Sequence, residues 1–312
     1  MCLLFEIKET LQTDPVAAIC MGFEITPEIF KLIMSDAPTA PLRVVVTTMP
    51  KDTEDWRIKI SACRKVYSRP FDLRFAIPDG YATYGLPEKE ILRYPECLVG
   101  NLLTTRAWIE ESQRKVFLLS DDDPGNSFRG SRYSPSTTQM IFSCPGCNAS
   151  GGHRWTITPE VHHEVWRFGI ALAKRRGTNY LGVNGSEATK GIFCDTKFFP
   201  IACNRIVNGV TAVIKPLRVG MPRVKISQEF ALMTAVANAS GGGTMTLMPL
   251  LRPYAVNAPK ESVDESHRII NQICGQEMFK RGNTGGGKGQ KYNTIFHSKT
   301  VQTMDVAQLL GV

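Results

Sequence analysis

Long apolar runs are what this sequence most plainly lacks. Crossing a bilayer takes about 20 apolar residues in succession. The longest candidate, 230–239, is half that length and is broken by Thr234 and Asn238. The start, Met1-Cys2-Leu3-Leu4-Phe5-Glu6, has no basic segment before its short apolar stretch, so no signal peptide is expected. Both absences argue against a membrane and for an intracellular protein, cytoplasmic or virion-associated. A full disulfide framework is excluded as well, because the nine cysteines are an odd number. Inside a cell thiols stay reduced, so free core thiols and a metal cluster are the better expectation. There is no Gly-x-Ser-x-Gly elbow, no internal repeat and no heptad run. Neither a hydrolase of the nucleophile-elbow type nor a coiled coil is therefore expected.

Acidic residues are scarce in one part of the chain only. Residues 1–123 hold 15 Lys and Arg against 19 Asp and Glu, a net of −4. Residues 124–312 hold 22 against 10, a net of +12. An excess of positive charge gathered in one region is the footprint of a polyanionic partner. With 312 residues, 43% of them hydrophobic, the chain has length for one or two domains and a sizeable core. The sign change falls at Asp121-Asp122-Asp123-Pro124-Gly125-Asn126, which is loop chemistry. It divides an acidic α+β domain, 1–123, from a basic domain, 124–312. The three adjacent carboxylates are either a solvated loop or a place for a cation.

The periodicities give an α+β fold. Thr26-Pro27-Glu28 opens a helix with a cap, a first-position proline and a charge that complements the dipole. Strands are expected at 43–48, 71–77 and 115–119. Gln139-Met140-Ile141-Phe142-Ser143 reads as a strand, and His153-Arg154-Trp155-Thr156-Ile157-Thr158 as its return, which together make a zinc-knuckle-like hairpin. One long amphipathic helix follows, capped by Thr158 and started by Pro159. It ends in Lys174-Arg175-Arg176 ahead of Gly177, and Val161, Val165, Phe168 and Leu172 form its buried stripe. Further on, 201–215 reads as a hairpin turning at Asn208-Gly209, 223–227 as a strand and 261–280 as a helix. The later part is thus β-rich as well as basic.

Three of the five histidines and four of the nine cysteines lie between Cys144 and Cys203. That is the composition of a zinc site. A Cys-x-x-Cys turn with proline and glycine inside it, Cys144-Pro145-Gly146-Cys147, directs two thiolates to one side of a metal. A structural zinc needs two more ligands, and the candidates are His153, His162, His163, Cys194 and Cys203. The competing reading makes Cys194 and Cys203 small hydrophobes and the two helix histidines a solvated and a packed side chain. A redox role is disfavoured, because such a motif belongs at a helix amino terminus and here a loop and a strand follow.

The order Cys144 and Cys147, Glu160-Val161-His162-His163, then Cys203-Asn204 resembles an HNH-type nuclease. The resemblance implies cysteine pairs that staple the fold and a histidine that activates water beside a metal-bound phosphate. The chain departs from that family in two ways. Cys194 and Cys203 make no second Cys-x-x-Cys, and the histidines fall in a helical pattern where the family has a hairpin strand. A zinc deaminase wants its histidine motif before its cysteine motif, and here the order is reversed.

Gly282-Asn283-Thr284-Gly285-Gly286-Gly287-Lys288-Gly289 has the spacing of a phosphate-binding loop through Lys288, but Gly289 stands where a serine or threonine must bind magnesium. The stretch suits direct nucleic-acid contact better. Lys280, Arg281, Lys288 and Lys291 surround the glycines, and Tyr292 and Phe296 follow as groups able to stack on bases. Together with Lys174, Arg175 and Arg176 they are the expected contacts, and Trp155 is a further candidate for stacking. The expectation from sequence is a non-enzymatic protein that binds single-stranded RNA or DNA and carries a structural zinc. The alternatives are a self-assembling viral or phage structural protein, capsid-like or nucleocapsid-like and homo-oligomeric, and an HNH-like metal-dependent nuclease.

Overall fold

The computed structural model describes residues 3–48, 52–99, 102–113, 116–122, 138–142, 153–176, 180–182, 193–195, 205–207, 244–246, 251–253, 279–281, 292–294 and 302–304. The fold is mixed helix and strand, with a small parallel sheet.

Four helices come first: α1 (Leu3–Glu6), α2 (Lys8–Thr13), α3 (Pro15–Phe23) and α4 (Pro27–Met34). Local chemistry sets their ends. The Asp14 carboxylate accepts from the Val16 and Ala17 amides at 2.9 and 3.2 Å, and Pro15 takes the position that needs no amide. Thr26 does the same for α4, accepting from Ile29 at 3.4 Å.

The strand β1 (Arg43–Thr47) leads through helix α5 (Thr53–Val66) to β2 (Asp72–Pro78). The chain continues through β3 (Ile91–Tyr94) and α6 (Leu102–Gln113) to β4 (Phe117–Asp121). All three pairings among these strands are parallel, in the spatial order β4-β1-β2-β3, with Val44 opposite both Leu73 and Leu118. Successive strand residues point to opposite faces. Val44, Val46, Phe75, Ile77 and Leu118 pack with Trp56, Ile60 and Cys63 of α5. Val45, Ala76, Phe117 and Leu119 pack with Ile109 of α6. Helices therefore cover both faces. That is why β1 and β4 read as unbroken apolar runs instead of alternating ones.

The antiparallel pair β5 (Thr138–Phe142) and β6 (His153–Thr156) forms as the sequence suggests, with Phe142 opposite His153. The strand β11 (Leu251–Pro253) adds to its other edge. Helix α7 spans Pro159–Arg176, the bounds expected from its caps, and Thr158 accepts from Val161 at 3.4 Å. Val161, Val165, Phe168 and Leu172 are fully buried. So are Trp166 and Ala171, and between Val161 and Ala173 only Glu164 and Arg167 are partly exposed. The helix is thus enclosed on nearly every side, beyond the single stripe that its sequence shows. Phe168 meets Phe23 at 4.8 Å and stacks on Phe30 at 6.0 Å between ring centres. Its core is continuous with that of α3, α4 and α5.

Short strands extend the parallel sheet beyond β4: β7 (Tyr180–Gly182), β8 (Phe193–Asp195), β9 (Arg205–Val207), β10 (Thr244–Thr246) and, at the far edge, β14 (Gln302–Met304). β9 runs antiparallel to both β4 and β7. The nine-stranded sheet and the largest core cluster both draw on residues from either side of position 123. A separate ribbon pairs β12 (Phe279–Arg281) with β13 (Tyr292–Thr294). Phe279 and Lys280 are therefore in a strand, and the helical pattern expected through 280 does not reach them. Among the described residues no helix is long and apolar enough to cross a membrane.

Candidate functional site

The described geometry gives His162 and His163 structural roles within the core. Both are buried. The His162 Nε2 atom accepts from the Trp166 indole N–H at 2.8 Å, and the ring makes a further hydrogen bond to the Val66 backbone. Tyr67 stacks against it at 5.7 Å and Phe71 meets it edge-on at 5.3 Å. Burial, followed by the charge of His163, holds the His162 pKa down to about 3, against the bond to Val66, so the ring is neutral at ordinary pH. The His163 Nε2 atom accepts from the Leu42 amide at 3.1 Å, and its Nδ1 faces Glu164 at 3.3 Å. All four ring nitrogens are occupied by protein partners, so a metal would have to displace one of them. Arg167 completes the arrangement, donating to the Pro38 carbonyl at 2.7 Å and to both Glu164 oxygens. Together these bonds fasten the segment that enters β1 onto α7.

The other metal candidates are distributed differently. Cys144, Cys147 and Cys203 lie outside the described residues. His153 begins β6, opposite Phe142, so the β5–β6 pair flanks the segment that contains both cysteines of the Cys-x-x-Cys. Cys194 lies in β8, opposite Thr246 and Thr303 in the nine-stranded sheet. Among the described residues no group of three or more His, Cys, Asp or Glu side chains is placed to hold a metal ion.

The basic candidates separate into two groups. Lys174 is exposed near the end of α7, and Arg176 is its last residue. Arg175 is committed within the fold: it pairs with Asp36 at 2.7 Å and donates to the Leu32 carbonyl at 2.9 Å, closing the carboxyl end of α4. Lys280 and Arg281 lie in β12 and Tyr292 in β13, with Arg281 directly opposite Tyr292, Lys280 opposite Asn293 and Phe279 opposite Thr294. Lys288, Lys291 and Phe296 lie outside the described residues.

One polar cluster was not assembled from the sequence. It sits at the carboxyl edge of β1 and β4. The Thr48 hydroxyl donates to Asp122 Oδ2 at 2.7 Å, and the Lys59 ammonium reaches the same oxygen at 2.9 Å and Asp55 at 3.3 Å. Burial alone would lower the Lys59 pKa, but the charges and hydrogen bonds of Asp122 and Asp55 outweigh it and hold it above its ordinary value. The Tyr67 hydroxyl shares a hydrogen bond with Ser120 at 2.9 Å. On the other face, the fully buried Arg106 donates to Thr47 at 3.3 Å, and Thr47 donates to the Ser120 carbonyl at 3.3 Å. The available signal was the switch from apolar to polar at two strand ends, Val46 to Thr47-Thr48 and Leu119 to Ser120-Asp121-Asp122. It gains meaning only once β1 and β4 are known to be neighbours. Comparison with known proteins finds no family model, no curated relative and no solved structure that matches this chain.

Proposed function

We propose that this chain is an intracellular, non-enzymatic protein that binds single-stranded RNA or DNA through its basic later part. The register of the β12–β13 ribbon carries this reading. Residues directly opposite in an antiparallel pair share a face, and alternate residues of a strand return to it. Phe279, Arg281, Tyr292 and Thr294 therefore belong to one face, and Lys280 and Asn293 to the other. Phe279, Arg281 and Tyr292, brought to neighbouring register positions, suit stacking on unpaired bases, which is sequence-tolerant because every base has a flat face. Lys280, Lys288, Lys291 and Lys174 supply charge for phosphates. A structural zinc belongs to the same proposal, held by Cys144 and Cys147, which fall between β5 and β6 in the sequence. His153 with Cys194 or Cys203 are the preferred completing ligands, since His162 and His163 have their nitrogens engaged.

Fluorescence anisotropy with a labelled single-stranded oligonucleotide tests the reading. Affinity should fall steeply between about 50 and 200 mM salt, with a log–log slope of about −0.7 per phosphate contacted. Tyr292→Ala should weaken binding by about 1–3 kcal/mol, the usual range for one stacked base. An affinity indifferent to salt, or a Tyr292→Ala variant that binds as the wild type does, would overturn it.

A further inference from the structure

We propose that the carboxyl edge between β1 and β4 is a second, small-molecule site, and that its ligand is a ribonucleoside held through the vicinal hydroxyls of its sugar. The topology comes first. The chain leaves β1 for β2 and β3 on one side, then returns past β1 to place β4 on the other. The crossover helices α5 and α6 lie on opposite faces. In open sheets of this kind, the connections diverge where strand order reverses, and ligands, nucleotides above all, bind outside the carboxyl ends of the strands at that point. The cluster of Thr48, Asp55, Lys59 and Asp122 stands there. The Lys59 and Asp122 side chains keep 17% and 16% of their surface open, so the cluster remains within reach of solvent.

The chemistry selects the ligand. A bare phosphate is disfavoured. The Asp52 carboxylate takes the Asp55 amide at 2.8 Å at the start of α5, and Glu54 and Asp55 add negative charge to its first turn. The side chains of Asp55, Asp122 and Lys59 carry one formal negative charge between them, and the sequence puts Asp121 and Asp123 on either side of Asp122. What the cluster offers is a matched acceptor and donor. The bonds from Thr48 and Lys59 both converge on Asp122 Oδ2, which leaves Oδ1 without a partner among the described residues. Lys59 spends two of its three N–H bonds on Asp55 and Asp122. A cis-diol fits that pair, one hydroxyl donating to Oδ1 and its neighbour accepting from the ammonium.

Calorimetric titration of the full chain with each of the four common ribonucleosides, with their 2′-deoxy counterparts, and with uridine monophosphate with and without magnesium, tests the proposal. At least one ribonucleoside should bind saturably, and its 2′-deoxy form about tenfold more weakly, the effect of losing one hydrogen bond to a charged group. Asp122→Asn should cost a similar factor, with circular dichroism to confirm folding. The ribose-to-deoxyribose ratio is read on wild-type protein, so equal binding of the two forms overturns the proposal even where the variant fails to fold. Absence of binding by every ribonucleoside, equal binding of the deoxy forms, or binding of uridine monophosphate only with magnesium would each overturn it.

Discussion

Mild acid should destabilise this protein through one buried side chain, His162. Its pKa is held from 6.5 down to about 3 by burial in the Tyr67–Phe71–Trp166 pocket. In the unfolded chain the same ring protonates near its ordinary value. Below that value the unfolded state binds one more proton than the native state, so stability is complete above 6.5 and declines as pH falls towards about 3. From about pH 7.5 to about pH 5, the term comes to about 2 kcal/mol. Glu164 and Asp72, whose carboxyls are held below their ordinary values, act mainly below this window. Stopping near pH 5 therefore keeps these two carboxyls out of the measurement, and the comparison with a His162 variant assigns the remainder.

The perturbation is His162→Gln, which keeps an acceptor for the Trp166 indole and removes the titration. Urea unfolding followed by tryptophan fluorescence, at both pH values, gives four free energies. The wild type should lose about 2 kcal/mol more than the variant on acidification. At the higher pH the variant should itself be less stable by about 1–3 kcal/mol, from imperfect replacement of two buried hydrogen bonds. Equal pH-dependence in the two proteins would refute the buried, neutral histidine, whatever their absolute stabilities.

Phe168→Ala, which empties the space between Phe23 and Phe30, should cost about 3–5 kcal/mol in the same urea assay, and a loss under about 1 kcal/mol would mean that α7 does not close this core. Asp14→Ala removes the acceptor for two amides at the start of α3 and should cost about 1 kcal/mol; an unchanged midpoint would show the cap to be idle. Elemental analysis of purified protein should find about one zinc per chain, lowered by Cys144→Ser but not by His163→Gln. A folded, metal-free wild type would end the zinc proposal.

The local features were legible in the sequence because the forces that set them are local. Thr26-Pro27 and Thr158-Pro159 fix helix starts through bonds within one turn, and both helices begin where the caps place them. The β-branched run at 43–47 and the pair 139–142 with 153–156 form the expected strands. The stretch 108–112, too short to assign on its own, is part of α6. Its apolar positions are matched to a sheet face formed by residues far along the chain, and no short window records that. His162 and His163 show the same limit from another direction. In sequence a histidine pair that follows a Cys-x-x-Cys reads equally as ligands or as a packed and a solvated side chain; in the fold both rings make hydrogen bonds, to Val66, Trp166, Leu42 and Glu164.

By itself, the sequence determined the charge asymmetry, the ends of the two capped helices, the β5–β6 pair and the chemistry available to a metal or a polyanion. Each depends on residue identity or on neighbours within a few positions. Tertiary structure alone decided that β4 lies beside β1, that helices cover both faces of the sheet, and that Thr48, Lys59 and Asp122 meet at its edge. Strand order is settled by which apolar faces bury one another across tens of residues, a condition on the whole chain that no single segment carries.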